Sequence, residues 1–299
     1  MRGQVSTKPI AFVTYQSPPY LGDSEALLAE PLKERGVAVE LASWDDKQVP
    51  WERYAAVIVR SVWDYHQRVG DFNKWLKRLE DTQARVFNPL PVLRWNMDKV
   101  YLEQLQKLGV AVLPTEWLPR GAFASLEKTL ARMEWPQAIV KPTIGAGGDD
   151  TWLVTLEDAE KDQARFEDLL TRSGVMVQTF APQIVQGEWS LFYFNGVYSH
   201  AVLKFPPPGQ FFVHEHRGGS AHGVQPPAAI IRQASAILRL ACQLNRAVPL
   251  YARVDGFVTA GQLVLMELEL IEPSLYLECV DDYAIERAAD AIASVVLTS

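Results

Sequence analysis

Short apolar runs separated by amphipathic stretches fill the first third of the chain. Ile10 to Thr14, Val37 to Leu41 and Ala55 to Val59 are rich in β-branched residues and read as strands. Glu25 to Arg35 instead carries apolar residues at helical spacing, with Asp23 and Ser24 as capping candidates before it and Gly36 after its basic end. Strand, helix, strand, strand predicts a parallel α/β sheet. A second helix over about Phe72 to Leu79 leads to Val86 and Phe87, and the prolines of Asn88-Pro89-Leu90-Pro91 are expected to break regular structure, which places a first boundary there.

Helical spacing resumes from Asp98 to Leu108 and is closed by Gly109, after which Val110 to Leu113 reads as a strand stopped by Pro114. Ala138 to Val140 and Trp152 to Val154 predict a hairpin whose flexible tip is the glycine-rich run Ile144 to Thr151. A helix near Ala159 to Thr171 and a strand at Val175 to Gln178 follow. Trp189 to Phe194 and Val197 to Phe205 flank Asn195-Gly196, a strong hairpin signal. Ala229 to Leu244 predicts a helix, Tyr251 to Val258 and Leu263 to Leu270 a strand pair joined near Gly261, and Tyr283 to Val295 a closing helix. The expected organisation is an α/β unit over 1–91, a central lobe over 92–179 and an α+β lobe over 180–299.

Composition narrows the function classes. The 299 residues carry Lys+Arg 29 against Asp+Glu 36, a formal net charge of -7, so there is no basic surplus for a nucleic-acid backbone or an anionic membrane. Cys242 and Cys279 are too few for a disulfide framework and read as buried thiols. The longest early apolar run, Ile10 to Val13, is too short for a signal-peptide core, and no stretch reaches transmembrane length, so a cytoplasmic protein is expected.

Candidate chemistry gathers in the last third. Period-two geometry puts Glu267 and Glu269 on one face of a strand. If the hairpin sets them opposite Asp255, several carboxylates converge beside Arg253, which suits a hard divalent cation such as Mg²⁺ bound together with phosphates. The alternative is an alternating strand with its acids in solvent. Lys141 ends an apolar strand just before the glycine-rich loop, where close backbone approach and an ammonium together suit phosphate oxygens. The alternative there is ordinary turn chemistry. Neither a Walker A motif nor a G-x-G-x-x-G fingerprint occurs.

Taken in order, Lys99, Lys141 with Gly145 to Gly148, Gln178 to Ala181, Glu188, Lys204, Arg253-Val254-Asp255 and Glu267-Leu268-Glu269 resemble the ATP-grasp superfamily of carboxylate–nitrogen ligases over nearly the whole chain. The segments Arg60 to Tyr65, Arg94 to Lys99, Gly187 to Ser190 and Met266 to Ser274 are similar to a subgroup that includes the cyclo-ligase of cycloserine biosynthesis, which closes O-ureido-D-serine into a ring at the expense of ATP. The resemblance implies two α+β halves that clasp ATP, preceded by an α/β domain.

Carried over residue by residue, it implies that Lys99 and Lys141 hold the α- and β-phosphates while Gly145, Ala146, Gly147 and Gly148 fold over the β/γ end. Gln178, Phe180 and Ala181 belong to the hinge that reads adenine, Glu188 accepts from the ribose hydroxyls, and Lys204 approaches the nucleotide. Arg253 steadies the γ-phosphoryl group, and Asp255, Glu267 and Glu269 bind Mg²⁺. Glu269 stands where many relatives have Asn, and Glu272 is a substitute third ligand. ATP would turn a substrate carboxylate into an acyl phosphate that a nitrogen then attacks.

Substrate contacts are expected from Arg60, Ser61, Asp64 and Tyr65, which follow the C-terminal end of a strand where open α/β sheets present ligands. A second candidate loop runs from His214 to Ser220 and includes His216, Arg217, Gly218 and Gly219; Ser274 is a further lining candidate. His214, His216 and His222 are not read as a zinc site. Of the tryptophans only Trp63 falls in a candidate substrate loop. The expected partner is a small amino-acid-like molecule, and the protein is expected to be a monomer or homodimer. Two other readings stay open: an intermolecular amino-acid or peptide ligase, and a non-catalytic ATP-binding regulatory protein.

Overall fold

The computed structural model describes residues 8–15, 22–213 and 217–297, arranged as three sheets with flanking helices. The first sheet is parallel, with strands β1 (Ile10–Thr14), β2 (Val39–Ser43), β3 (Ala56–Ser61) and β4 (Val86–Phe87) in the order β2-β1-β3-β4. Both faces are buried, as the apolar runs require. On one face, α3 (Val69–Asp81) packs with Trp44, Trp51, Phe72 and Trp75 in a connected set of aromatic contacts. The other face packs against α2 (Ala29–Glu34) and the closing helix α9 (Asp282–Leu297).

The helix expected over 25–35 is split into α1 (Asp23–Ala26) and α2. Pro31 explains the break: it has no N–H for the carbonyl of Leu27 and its ring crowds that carbonyl. A second correction concerns Asn88 to Pro91. There the prolines start a helix, α4 (Leu90–Asn96), because Pro89 at the cap and Pro91 in the first turn need no donor.

After α5 (Tyr101–Lys107), the segment expected as a strand over 110–113 forms only an isolated bridge from Val112 to Leu265. The strand begins beyond Pro114, as β5 (Thr115–Leu118), where the N–H groups return. An unanticipated helix, α6 (Leu126–Arg132), is capped by Ser125, whose hydroxyl accepts from the Lys128 N–H. With α7 (Ala159–Arg172) it covers the second sheet, antiparallel in the order β5-β8-β6-β7. Its other strands are β6 (Gln137–Pro142), β7 (Trp152–Thr155) and β8 (Val175–Thr179).

The third sheet is antiparallel in the order β11-β10-β9-β12-β13. Its strands are β9 (Glu188–Phe194), β10 (Val197–Phe205), β11 (Ser220–Gly223), β12 (Tyr251–Thr259) and β13 (Gln262–Glu269), and α8 (Ala228–Asn245) packs on one face. Asn195 and Gly196, at φ 49° and 76°, make the turn between β9 and β10 that the dipeptide predicts. Cys242 and Cys279 are half-buried thiols, not joined in a disulfide, at the margins of the cores rather than inside them. Among the described residues no helix is long and apolar enough to cross a membrane.

Candidate active site

The β12–β13 register sets Arg253 opposite Glu269 and Asp255 opposite Glu267. Immediately afterwards Gly256 pairs with Leu265, so Met266 is an extra residue in β13. Such a bulge re-aims the strand beside it. A Cβ on residue 256 would come within 2.3 Å of the Val264 carbonyl oxygen, so the site tolerates only glycine.

These strands form one wall of a cavity of about 690 Å³ lined by residues of the second and third sheets and by residues that follow β1 and β3 of the first. Arg253 Nε donates to both oxygens of Asp255, at 3.0 and 2.9 Å, and its Nη2 pairs with Glu269. Ser190 Oγ donates to Asp255 at 2.6 Å. Lys204 Nζ lies 2.5 Å from Glu188 and 3.9 Å from Asp255, while Lys99 Nζ lies 2.9 Å from Glu267 and donates to Gly145 O at 2.6 Å.

Burial and pairing set the charges. Burial alone would raise Asp255, but Arg253 and Lys204 hold it below the usual carboxylate range; Lys99 and Lys141 do the same for half-buried Glu267. Burial, with Glu267 and Asp255 adding to it, pushes Glu269 up to about 7 against the pull of Arg253. Glu272 is raised further by burial and the neighbouring Glu269. The Lys141 ammonium lines the cavity with no side-chain hydrogen bond or ion pair among the described residues, and burial beside Lys99 lowers it to about 8.

Among the described residues no group of three or more His, Cys, Asp or Glu side chains is gathered closely enough to form a ready-made metal cage. Asp255, Glu267 and Glu269 share one wall, but each is turned to a neighbouring cation.

The glycine-rich loop forms the opposing lip. Gly145, Ala146, Gly147 and Gly148 line the cavity, and Gly148, at φ +74°, leaves a Cβ only 2.9 Å from Phe212. Asp149 at the tip pairs with His66 at 3.2 Å, and Arg217 Nε donates to Gly147 O at 3.2 Å while stacking on Phe212. Phe180, Ala181, Ile184 and Phe211 supply an apolar stretch of wall beside Gln178, whose amide donates to Thr115 Oγ1 at 2.9 Å.

The substrate-loop candidates divide. Asp64, Tyr65 and Ser274 line the cavity, Asp64 being paired with Arg68 and accepting from Trp44 Nε1. Arg60 and Ser61 do not line it. The β1–β3 register skips Arg60, which turns inward at 2% exposure, pairs with equally buried Glu25 at 2.8 Å, and donates to Pro273 O at 2.6 Å. Ser61 is the ladder partner of Thr14 and is buried there. Gly218 and Gly219 are also off the wall, and His216 lies outside the described residues. Sequence reasoning had no role for Asp149, His66, Phe211, Phe212 or Asn96. Asp149 and Asn96 sit inside motifs it had singled out, whereas the two phenylalanines carry no local signal beyond following a proline-rich turn.

Comparison with known proteins decides the family. Residues 10–88 match the model of the N-terminal domain of D-cycloserine synthetase DcsG. Over 291 residues, covering 94% of each protein, the chain is 32% identical to the cycloserine biosynthesis protein DcsG of Streptomyces lavendulae. The chain belongs to the DcsG family. The crystal structure of D-cycloserine synthetase DcsG superposes with a TM-score of 0.86 at 30% identity, over 96% of this chain and 99% of that one.

More distant likenesses extend the fold. D-alanine–D-alanine ligase from Bacillus anthracis, solved with ATP, matches at TM-score 0.68 and 15% identity over 98% of both chains. The ATP-grasp ligase PsnB, solved with Mg and ADP, matches at 0.65 and 16% over 96% and 98%. As a DcsG relative with the ATP-grasp fold, the protein is an enzyme, a ligase.

Proposed function

We propose that this ligase uses ATP and Mg²⁺ to close an O-ureido-serine-type amino acid, the D-enantiomer, into its ring by joining a carboxylate to a nitrogen of the same molecule. The observation that carries the reading is the cavity itself: buried cations and carboxylates from two sheets face a glycine-rich lip, in a chain related to DcsG over 94% of its length.

The donor chemistry fits both groups. Lys99 and Lys141 offer ammonium groups to polyphosphate, and backbone N–H groups of Gly145 to Gly148 can approach it closely. Phe180, Ala181 and the Gln178 segment form the base-binding slot, with Glu188 and Lys204 on the sugar and phosphate side. Asp255, Glu267 and Glu269 would hold Mg²⁺, whose preferred donors are carboxylate oxygens. Bound together, ATP and Mg²⁺ supply a charge-neutralised γ-phosphoryl group that converts the substrate carboxylate into an acyl phosphate.

The chain's own residues do the rest. Arg253 spreads charge at the transferring group, and Asp255 and Glu269 aim its guanidinium. Asp64, Tyr65 and Ser274 hold the amino acid folded so that its nitrogen lies near its own carboxyl carbon. Attack of that nitrogen expels phosphate, and the lip excludes water that would hydrolyse the activated acid. Arg60 acts from behind the wall by holding the Pro273 carbonyl. The working parts are 1–91 on the substrate side, 92–179 as the central lobe and 180–299 as the lobe bearing the metal carboxylates.

The test is Mg²⁺-dependent phosphate release from ATP with O-ureido-D-serine, its L-enantiomer and a panel of amino acids, with products identified by mass. Ring product from the D-compound is expected. Release only when two amino acids are supplied together would replace ring closure by intermolecular ligation.

A further inference from the structure

β13 is the edge strand of its sheet, yet Glu267 and Glu269 are on the cavity wall it forms. An edge strand carries a row of backbone groups that need partners. Side chains from residues 88–101 supply them in order. The Leu268 N–H donates to Tyr101 Oη at 2.9 Å, and Asn96 Nδ2 donates to Leu268 O at 2.7 Å. The Leu270 N–H donates to Asn96 Oδ1 at 2.7 Å, and Asn88 Nδ2 donates to Leu270 O at 2.7 Å.

Asn96 therefore does with one buried amide what a neighbouring strand does with a peptide group. The carbonyl it receives belongs to the peptide unit before Glu269, and the N–H it receives belongs to the unit after it. Both peptide planes flanking Glu269 are held by one side chain. The amide offers the donor and the acceptor side by side on two atoms, as a peptide group does: aspartate lacks the donor, and leucine lacks both. Glu269 in turn pairs with Arg253, its ladder partner.

We infer that Asn96 is a positioning residue for Glu269, fixing the backbone on both sides of that carboxylate and so the place from which it and Arg253 act on the metal–phosphate group. The inference rests on Glu269 being a metal ligand.

The experiment titrates ADP into the full chain by calorimetry, once with Mg²⁺ and once with EDTA, for the wild type, Asn96→Ala, Asn96→Asp, Glu269→Gln and the Asn96→Ala/Glu269→Gln double variant. Asn96→Ala should weaken MgADP binding by about 10- to 100-fold, the scale for partners that orient metal ligands. ADP binding in EDTA should be unchanged. Added to Glu269→Gln, Asn96→Ala should cost little more, because both act through one carboxylate.

Equal weakening with and without Mg²⁺, or a fully additive double variant, would make Asn96 merely structural and overturn the inference. If Glu269→Gln weakens MgADP and Asn96→Ala does not, the inference fails while the metal reading stands. If Glu269→Gln has no effect, both fall. Should Asn96→Ala not fold, Asn96→Asp carries the same test, since it keeps the acceptor for the Leu270 N–H and loses the donor to Leu268.

Discussion

Asp255 and Glu267 stand opposite each other in the β12–β13 ladder, yet their carboxylates turn to different cations, Asp255 to Arg253 and Glu267 to Lys99. Like charges facing across a ladder repel, and here each is offset by its own partner. The cavity thus holds these carboxylates in internal pairs with its cations, while Lys141 stands outside the pairs. Under the proposed function, a polyphosphate entering with a divalent cation would exchange partners: phosphate oxygens would draw on the lysines and arginine, and the metal would take their place beside the carboxylates.

Glu267→Gln removes a proposed metal ligand and the partner of Lys99. The variant should keep the wild-type circular dichroism spectrum and lose turnover on the order of 100-fold, the scale for removing one preorganised group at a reacting centre. A near-normal kcat would sink the metal assignment.

Lys141 is lowered to about 8 by burial, with Lys99 adding to the effect and Glu267 opposing it, so it carries its charge below that pH and loses it above. Polyphosphate favours the charged form. ATP affinity should therefore be stronger at pH 7 than at pH 9, and binding near pH 8 should take up protons, visible as a buffer-dependent calorimetric enthalpy. Lys141→Ala should weaken ATP binding by about 10-fold or more, as expected for a charged hydrogen bond, and flatten that pH dependence. Unchanged affinity would remove Lys141 from the phosphate site.

Asp149 ties the tip of the glycine-rich loop to His66, and Arg217 holds the same loop through Gly147 O. Asp149→Asn should loosen the lip and let water reach the activated acid. Phosphate released per ring formed should rise about two- to five-fold, the scale of a partly exposed ion pair. A ratio that stays at the wild-type value would show that the lip closes without this contact.

Glu25 and Arg60 form an ion pair in which both side chains are 2% exposed. Glu25→Ala leaves the guanidinium buried without its counter-charge and should cost about 3–5 kcal/mol, measured by urea unfolding. A loss below about 1 kcal/mol, the usual worth of a surface pair, would mean that Arg60 finds another anion.

Much of this was legible along the chain because it depends on neighbours in sequence. Short apolar runs marked β1, β3, β6, β8, β9, β10, β12 and β13 to within a few residues. Asn195-Gly196 marked its turn because few other residues adopt the required left-handed backbone at such low cost. Period two put Glu267 and Glu269 on one face, and Pro31 and Pro91 acted through local rules that a closer reading of the missing N–H would have caught.

Contacts between distant residues were beyond reach. Glu25 and Arg60 find each other because β1 and β3 skip a residue, and nothing near either residue announces that bulge. The same holds for Met266, whose extra place in β13 depends on how the strand fits β12. Asn96 looked like one polar residue among several in Arg94 to Lys99 until α4 was seen to lie along an unpaired strand edge.

The sequence by itself determined which residues could carry charge, turn sharply or fill a core, since those are properties of side chains and their immediate neighbours. Tertiary structure decided which carboxylate meets which cation, which candidates face the cavity and which sink behind its wall. Those outcomes depend on register and packing between segments far apart in the chain, where one skipped residue reverses the direction in which a side chain points.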